Sequence, residues 1–522
     1  MERKSMSNES TPPFIYQGPV EAACYRDQKI PCFQGNPLTE ALPPSAEKED
    51  IFKRMRIRPL YEELHRHYTR EERLLLLGHG KRFFEPLSMN FNLASRFDSI
   101  LRHGYVGRNP LCLGAYREAR EKLEQAIQNP LRRDLPLDFN LGLTMIGISG
   151  IGKSRALERV SALYPQVIQH SWYQEHRFTW TQLVWLKLDC PPDGSIAGLC
   201  TNFFLQIDRI LGTNYSQNYG IRNKPPQPAM IAYMNTAAFN HSLGVLIIDE
   251  IQNLRRKKDP EMLDFFIQLD NEIGVPIVLV GTPSAEEILS GDLRRARRAS
   301  GQGEMRWSRM QNDVEWRYFL ESLWRYQYVE KKSDLSDELA QTLYYESQGI
   351  TDLAIRLYFF AQRYAIITNQ ECIKRETIQM AAGLGLRSVQ RFLHDIRNNN
   401  IKKIKAHGDR PFSAIEGDFH LSESELMKRI EADRLRVAEA STTNNKQTNN
   451  EATQGLHAEA IASQNGAPKT ITPTTTQQRA GETLPQIADR GQKALKVSAY
   501  EALRQASYTF HAAEHLTEEH VS

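Results

Sequence analysis

The sequence lacks most features that mark secreted, membrane-spanning or zinc-binding proteins. Its six cysteines are spread over 522 residues without a CxxC pair, which excludes a disulfide framework and a zinc knuckle. No apolar run approaches the roughly 20 residues that a membrane-spanning helix needs. The first residues, MERKSMSNESTPPF, have no apolar stretch of the secretory-signal type, so we expect a cytoplasmic protein with no membrane partner.

The chain also has little excess charge of either sign. It carries 66 Lys and Arg residues against 63 Asp and Glu residues, a formal net charge of +3. A chain that binds nucleic acid through its overall field is usually strongly basic, and this one is not. Any DNA-binding surface must therefore come from local patches.

Shifts in composition divide the chain into seven segments. The low-complexity stretch 441–480 has no Phe, Trp or Tyr, so it cannot bury enough apolar area to offset the entropy of ordering. In chain order we predict an extended N-terminal arm (1–50), a helical N-terminal region (51–135), an α/β core (136–311), a helical lid (312–410), a helical extension (411–440), a disordered linker (441–483) and a helical C-terminal tail for partner contact (484–522).

Four apolar runs predict the sheet of the α/β core. Runs this continuous are typical of strands that are buried on both faces, as in a parallel sheet covered by helices. The runs are LGLTMIGI (141–148), LVWLKLDC (183–190), GVLIIDE (244–250) and VPIVLVG (275–281).

A complete GxxxxGKS motif follows the first of these strands and precedes a helix-like segment. This strand, loop and helix context is the one that a phosphate-binding P-loop requires. Its glycines let the backbone wrap phosphates, and the amino end of the following helix adds a positive dipole. We predict that Lys153 reaches the β- and γ-phosphates of ATP and that Ser154 ligates Mg²⁺. The predicted nucleotide-binding residues of the loop are Gly147, Ile148, Ser149, Gly150, Ile151, Gly152, Lys153 and Ser154.

Two carboxylates, Asp249 and Glu250, end the third apolar run. A pair of this kind often marks only the start of a helix. Downstream of a P-loop, however, Asp249 fits a Mg²⁺ ligand in the nucleotide site and Glu250 fits the base that orients the attacking water.

Three more elements are candidates for the ATP site. Thr282 ends the next strand and is either a phosphate sensor or a simple strand-end hydroxyl. Arg294, Arg297 and Arg298, in the run DLRRARR, are candidate arginine fingers for a neighbouring subunit, or part of a solvated charge run. Arg356, which follows a Ser-Gln-Gly turn, is either a cation that reports on the γ-phosphate or an exposed helix residue.

The motifs GISGIGKS, VLIIDE, VLVGTP, DLRRARR and SQGITDLAIRLY together resemble the AAA+ superfamily of P-loop ATPases. The segments between them are similar to TnsC, a family of AAA+ regulators encoded by cut-and-paste bacterial transposons. The segments that carry this resemblance are NPLTEALPP (36–44), GYVGRNP (104–110), YPQVI (164–168), LKLDCPPDGS (186–195), NFFLQIDRILGTNY (202–215) and IGVPIVLVGTP (273–283).

The resemblance implies a Mg²⁺-dependent ATPase that regulates DNA transposition. TnsC proteins bind ATP and double-stranded DNA together and oligomerise on target DNA. They receive a signal from a TnsD, TnsE or TniQ-type target selector, and they recruit and activate a TnsA/TnsB-type transposase. A head-to-tail homo-oligomer of this kind forms a closed ring or an open filament. We therefore expect a DNA-associated protein of the bacterial cytoplasm.

The same resemblance implies where DNA would be contacted. The loop CPPDGS and the segment after the following helix supply polar and basic groups that would track phosphates without reading bases. The candidates are Ser195, Asn214, Tyr215, Arg222 and Lys224. The segment 376–397 could instead suggest a helix-turn-helix reader, but we interpret it as lid because it directly follows Arg356.

Two other functions fit the motifs less well. One is a replication-initiator-like or helicase-loader-like AAA+ machine, against which the TnsC-like linking segments weigh. The other is an ATP-dependent DNA scaffold with little turnover. Glu250 argues against the scaffold, because that carboxylate is needed for hydrolysis and not for binding.

Overall fold

The computed structural model describes residues 20–112, 121, 142–221, 226–256, 275–286, 303–400, 422 and 424–432. The strands in these ranges are β1 (Val20–Ala22), β2 (Leu143–Ile146), β3 (Val167–Tyr173), β4 (His176–Leu183), β5 (Trp185–Asp189), β6 (Val245–Asp249), β7 (Ile277–Gly281) and β8 (Glu304–Arg306). The helices are α1 (Pro37–Glu40), α2 (Lys48–Met55), α3 (Arg70–Leu77), α4 (Ser88–Val106), α5 (Lys153–Ser161), α6 (Ile196–Leu211), α7 (Gln227–Asn240), α8 (Val314–Trp324), α9 (Asp337–Ser347), α10 (Thr351–Ile367), α11 (Arg375–Gly385) and α12 (Gln390–Arg397).

The central sheet has the strand order β5-β6-β7-β2-β8, and every neighbouring pair is parallel. All residues of β2, β6 and β7 are buried, as expected of strands covered by helices on both faces. The predicted α/β fold class is confirmed. The sequence does not predict the edge strand β8, because its three residues include only one apolar side chain, Met305.

Helices cover both faces of this sheet. Successive side chains of a strand point to opposite faces, so Ile247 and Ile248 of β6 enter different cores. Ile247 belongs to the core that includes Leu157 of α5, and Ile248 to the core that includes Phe203 of α6. The strands therefore hold the P-loop helix and the helix after β5 on opposite sides of the sheet.

The segment 104–110 fixes how α4 meets this sheet. A Cβ atom at Gly104 would lie 2.5 Å from the ring of Pro276, so only glycine allows the approach. Arg108 donates a hydrogen bond of 2.5 Å to the Leu243 carbonyl, just before β6. Burial lowers the pKa of the Arg108 guanidinium to about 10. This part of the TnsC-like pattern has a packing role.

Residues 20–50 do not form the predicted extended arm. Strand β1 pairs in parallel with β3, and Leu38 and Leu42 are fully buried in the core that contains α4 and α5. Asn36 accepts a hydrogen bond from the Leu38 backbone N–H at 3.0 Å and donates one of 2.9 Å to the Tyr105 carbonyl. The apolar islands of this segment are too short for a core of their own, but they complete another one.

A second sheet, of order β1-β3-β4, was not expected from the sequence. Strands β3 and β4 form an antiparallel hairpin between α5 and β5. Their apolar residues are largely aromatic and are mixed with polar ones. The alternation of apolar and polar residues that marks a strand is therefore not visible in the sequence. The buried His170 lies between Tyr25, whose hydroxyl is 2.8 Å from its Nδ1 atom, and Gln182.

The helices α8 to α12 enclose a third core, which forms the lid. Trp316, Tyr328 and Tyr358 are fully buried in it, and α11 packs against α9 and α10. Leu426 and Ile430, in the helical stretch 424–432, join the same core. The aromatic stripes of the sequence therefore serve packing.

Residues 56–85, which we call the strap, follow α2 in the chain and pack against the lid before the chain enters α4. Its ends meet in a bridge between Ile57 and Phe84, and α3 lies between them. The buried Arg73 donates hydrogen bonds of 2.6 and 2.9 Å to the Glu371 carboxylate and one of 3.1 Å to the Tyr328 carbonyl. The sequence analysis predicts a helical region for residues 51–135. The strap, which lies within that region, is only partly helical, and much of it follows the lid surface as irregular backbone.

We expect Arg73→Ala to lower the free energy of unfolding by about 3 to 5 kcal/mol, because it leaves the Glu371 carboxylate without its bidentate partner. The matched control is Arg375→Ala, which removes an ion pair to Glu338 whose side chains are 53% and 62% exposed. That control should cost no more than about 1 kcal/mol. Urea denaturation of the three proteins measures the difference, and equal losses would contradict the assigned role of Arg73.

Candidate functional site

A cavity of about 360 Å³ lies where the carboxyl edge of the central sheet faces the lid and the strap. The P-loop, the ends of β6 and β7, the start of α10 and the connection after β8 all contribute to its wall. The wall residues that the sequence analysis selected are Ser149, Gly150, Ile151, Gly152, Lys153, Ser154, Asp249, Glu250 and Thr282. The fold thus brings together residues from three separate motifs.

The P-loop takes its shape from glycines in the left-handed region, Gly150 with φ 72° and Gly152 with φ 95°. Gly147 and Ile148 do not line the main cavity but a smaller one of about 320 Å³ behind the loop. Their carbonyl oxygens accept hydrogen bonds of 2.7 and 3.0 Å from the Lys153 ammonium.

The ammonium of Lys153 is buried beside the two carboxylates. Burial lowers the pKa of Lys153 to about 8, although the negative charges of Asp249 and Glu250 oppose this shift. A phosphate placed in the loop would add further negative charge and favour the protonated amine. The site is therefore suited to an anion.

Asp249 and Glu250 differ in burial and in backbone conformation. Asp249 is buried, and its Oδ1 atom accepts a hydrogen bond of 2.9 Å from the backbone N–H of Glu250. Glu250 has φ 58°, unusual for a residue with a side chain, which turns it out of the strand direction. Desolvation and the adjacent Asp249 charge raise the pKa of Glu250, while Lys153 lowers it. A raised pKa makes its carboxylate a better general base.

Gln252 is a site residue that the sequence analysis did not select. Its amide N–H contacts the Glu250 carboxylate, and its Oε1 atom accepts a hydrogen bond of 3.1 Å from the Thr282 backbone N–H. Thr282 is buried, and its hydroxyl is 3.0 Å from that of Ser284. The Gln252 side chain thus joins the ends of β6 and β7. A glutamine three residues after a strand gives no sequence signal for this contact.

Arg356, the candidate γ-phosphate sensor, is not among the residues that line the cavity. The cavity wall at the start of α10 consists of Thr351, Asp352 and Ile355. Arg356 lies one helical turn after Asp352, and its Nε atom donates a hydrogen bond of 2.7 Å to that carboxylate. The lid contacts the P-loop instead through the Thr351 hydroxyl, which donates to the Ile151 carbonyl at 3.3 Å.

The end of the strap and Leu87, two residues after it, form an apolar part of the cavity wall. Phe83, Phe84 and Leu87 supply apolar surface there, and the guanidinium of Arg155 lies 5.8 Å from the centre of the Phe84 ring. Burial lowers the pKa of Arg155, although Asp352 and Glu158 oppose this. Apolar walls with one cation suit the flat base of a nucleotide.

Of the candidate DNA-contacting residues that the structure describes, Ser195 and Asn214 lie at opposite ends of α6. The Ser195 hydroxyl caps α6 by accepting a hydrogen bond of 3.1 Å from the Gly198 N–H. Asn214 is exposed beyond the other end of this helix, whose 16 residues span about 24 Å. Arg222, Lys224 and the candidate fingers Arg294, Arg297 and Arg298 lie outside the residues that the structure describes.

Tyr215 is placed for packing. Its hydroxyl is 3.1 Å from His241 Nε2, and its ring packs on Tyr219 with the ring centres 6.1 Å apart. Asp208 fixes the turn before it, since its carboxylate accepts hydrogen bonds of 2.7 Å from the backbone N–H groups of Tyr215 and Ser216. The Tyr215 side chain is thus held by contacts within the protein, and its role in DNA binding stays a prediction.

Oxygen ligands for a magnesium ion are present, but they do not form a complete site alone. The Ser154 hydroxyl and the Asp249 carboxylate both line the cavity, and hard oxygen atoms of this kind suit Mg²⁺. In the described part of the chain, no cluster of three or more His, Cys, Asp or Glu side chains could hold a metal. These two residues therefore fit a Mg²⁺ ion whose remaining ligands come from phosphates and water.

No helix among the described residues has the length and apolar character to cross a membrane.

A match to a known protein family agrees with the fold of the central sheet. Residues 141–289 match the family described as AAA domain. No protein of the curated set matches the chain. Among solved structures, the chain is similar to Cdc6p from Pyrobaculum aerophilum, with 17% identity and a TM-score of 0.34 over 54% of this chain and 70% of that one. It is also similar to the Aeropyrum pernix ORC2 protein in ADPNP–ADP complexes, with 16% identity and a TM-score of 0.31 over 51% and 67%.

A third similar structure is the Aeropyrum pernix ORC1 protein in complex with DNA, with 15% identity and a TM-score of 0.32 over 51% of this chain and 64% of that one. The family match, the strand order and the P-loop place the core of this chain in the AAA+ P-loop fold.

We expect the Asp208 carboxylate to stabilise the turn before Tyr215 in a pH-dependent way. Burial would raise the pKa of Asp208, but the hydrogen bonds from Ser216, Thr213 and Tyr215 outweigh it and hold the pKa below its usual value. A lowered pKa in the folded state gives stability that is present above the unfolded-state value of about 3.9 and is lost as the pH falls through the folded-state value.

Asp208→Asn should therefore lower the free energy of unfolding by about 1 to 3 kcal/mol at pH 7, and by less as the pH approaches the acid range. Denaturation of both proteins across pH 3 to 7 measures this, with the exposed Asp27→Asn as control. A difference that does not change with pH would contradict the role.

Proposed function

We propose that this chain is an ATP-hydrolysing, DNA-binding AAA+ regulator of transposition. The observation that carries the nucleotide part is the convergence of Lys153, Ser154, Asp249, Glu250 and Thr282 on one cavity of the AAA+ fold. The transposition part is supported by the TnsC-like segments between the motifs.

The residues of the cavity support in-line attack of water on the γ-phosphate of ATP. The P-loop N–H groups and Lys153 would hold the phosphates, and Ser154 and Asp249 would hold Mg²⁺, which neutralises charge on them. Glu250 would take a proton from the attacking water, and the Gln252 amide would keep its carboxylate near Thr282. Thr282, which lines the same cavity, would contact the γ-phosphate as a sensor.

The TnsC-like segments support the finer proposal because several of them have demanding structural positions. The segment 36–44 supplies Leu38 and Leu42 to the core, and 104–110 supplies Gly104 and Arg108. The segment 186–195 includes Lys187, which contacts the Asp249 carboxylate at 3.3 Å. Similarity at such positions concerns the architecture of the whole N-terminal half and not only the generic P-loop.

In the proposed cycle, ATP controls assembly on double-stranded DNA. An arginine finger from the run 292–298 would complete the neighbouring subunit's site, so a head-to-tail oligomer, ring or filament, would form in the ATP state. We propose that a TnsD, TnsE or TniQ-type selector directs this oligomer to a target and that it then activates a TnsA/TnsB-type transposase. The exposed Asn214 and the loop 190–195 remain candidates for phosphate contacts.

Two substitutions separate nucleotide binding from hydrolysis. Lys153→Ala should abolish ATP binding, because the loop loses its cation. Glu250→Gln keeps the shape of the side chain but removes the base, so it should bind ATP normally and hydrolyse it roughly 10² to 10⁴ times more slowly.

Binding of a fluorescent ATP analogue and steady-state phosphate release distinguish the two variants. A Glu250→Gln protein that hydrolyses ATP at the normal rate would contradict the role of Glu250. Normal ATP binding by Lys153→Ala would contradict the assignment of the cavity.

The transposase contact is proposed for the C-terminal tail, residues 484–522. A chain that lacks residues 440–522 should keep ATP-dependent DNA binding and lose recruitment of the transposase, because a tether raises the local concentration of the element it carries. DNA gel shifts and transposase pull-downs on the same preparation measure both properties. Loss of DNA binding in the truncated chain would contradict this division of labour and favour an initiator-like or loader-like protein.

A further inference from the structure

Lys187, on β5, is a buried lysine beside the nucleotide cavity and is 8% exposed. Lysine is almost never buried unless it is paired. Its Nζ atom lies 3.0 Å from Glu158 Oε1, 3.3 Å from Asp249 Oδ2 and 3.7 Å from Asp189 Oδ1. One ammonium group therefore contacts carboxylates from three elements of the core.

Two of these elements carry the proposed magnesium ligands. Glu158 lies on α5, the helix whose first two residues are Lys153 and Ser154. Asp249 ends β6, which pairs with β5 in a register that places Asp189 opposite Asp249. The Lys187 ammonium thus spans from the helix that holds Ser154 to the strand that holds Asp249.

The contact also fixes the orientation of the Asp249 carboxylate. Its Oδ1 atom accepts from the Glu250 N–H, and its Oδ2 atom faces Lys187. With both oxygen atoms engaged, the group cannot rotate without losing a contact. Ordering of this kind before the ligand arrives lowers the cost of binding it.

We propose that Lys187 is a positioning residue of the nucleotide and magnesium site. It holds α5 and the end of β6 at the spacing that lets Ser154 and Asp249 serve the same Mg²⁺ ion. This inference rests on the proposed ATP site. Glu158 is also required for this role, because its carboxylate holds the Lys187 ammonium against the P-loop helix.

The direction in which Mg²⁺ binding changes when Lys187 is removed distinguishes a positioning role from a purely electrostatic one. If Lys187 acted only through its charge, removing it would strengthen Mg²⁺ binding, because one cation fewer would repel the metal. If Lys187 positions the ligands, removing it should weaken Mg²⁺ binding by about 10- to 100-fold, the usual effect of losing a group that orients a metal ligand.

The experiment measures the binding of a fluorescent ATP analogue to the full chain. One series titrates Mg²⁺, and a second is done in EDTA, without free Mg²⁺. For Lys187→Met we expect the Mg²⁺ concentration at half-saturation to rise about tenfold or more, while nucleotide binding in EDTA stays unchanged. Lys187→Arg should recover part of the loss. The matched control is Lys332→Met, which removes a lysine that is 53% exposed and lies 3.5 Å from Glu63, and it should behave like the wild type.

Glu158→Ala keeps the Lys187 contact to Asp249 and tests the proposal where Lys187→Met fails to fold. Its Mg²⁺ requirement should rise as well, and by more than that of Asp189→Ala, which also removes a carboxylate near the same ammonium but leaves the contact to the P-loop helix intact. An unchanged or lowered Mg²⁺ requirement in the folded variants would overturn the proposal. Wild-type protein that binds no nucleotide in any condition would instead contradict the proposed function.

Discussion

The hydrogen bonding of β7 between β2 and β6 is the constraint on which the site depends. Ile146 pairs with Gly281 and Ile248 with Leu279, so the three strands end at nearly the same level. The P-loop, Thr282 and the Asp249–Glu250 pair therefore leave the sheet side by side. Backbone pairing alone thus brings together residues that are distant in sequence, and the side chains of Gln252 and Lys187 then adjust their positions.

The lid is coupled to this sheet edge by contacts that are short and specific. A Cβ atom at Gly349 would lie 2.2 Å from the Met310 carbonyl oxygen, so the turn before α10 is closely fixed to the connection after β8. Thr351 then reaches the P-loop backbone. On its far side the lid is held by the strap through Arg73. The lid is therefore held both by the edge of the central sheet and by the strap.

The central sheet could be predicted because its strands are continuous apolar runs and its loops carry specific residue patterns. Lys153, Asp249 and Glu250 stand where such patterns place them. The hairpin of β3 and β4, the buried segment around Leu38 and the strap could not be predicted, because their apolar residues are few and are completed by partners distant in sequence. Gln252 and Lys187 act through contacts to neighbouring elements of the core, which no local sequence pattern announces. Arg356 is paired with Asp352, one turn away, and its role as a γ-phosphate sensor stays a prediction.

The central claim is that ATP controls assembly of this protein on DNA. Electron microscopy of the purified chain with random-sequence duplex DNA tests it, with no nucleotide, with ADP and with a non-hydrolysable ATP analogue. The account predicts rings or filaments on DNA only with the ATP analogue. DNA binding that ignores the nucleotide, or no assembly in any condition, would contradict it.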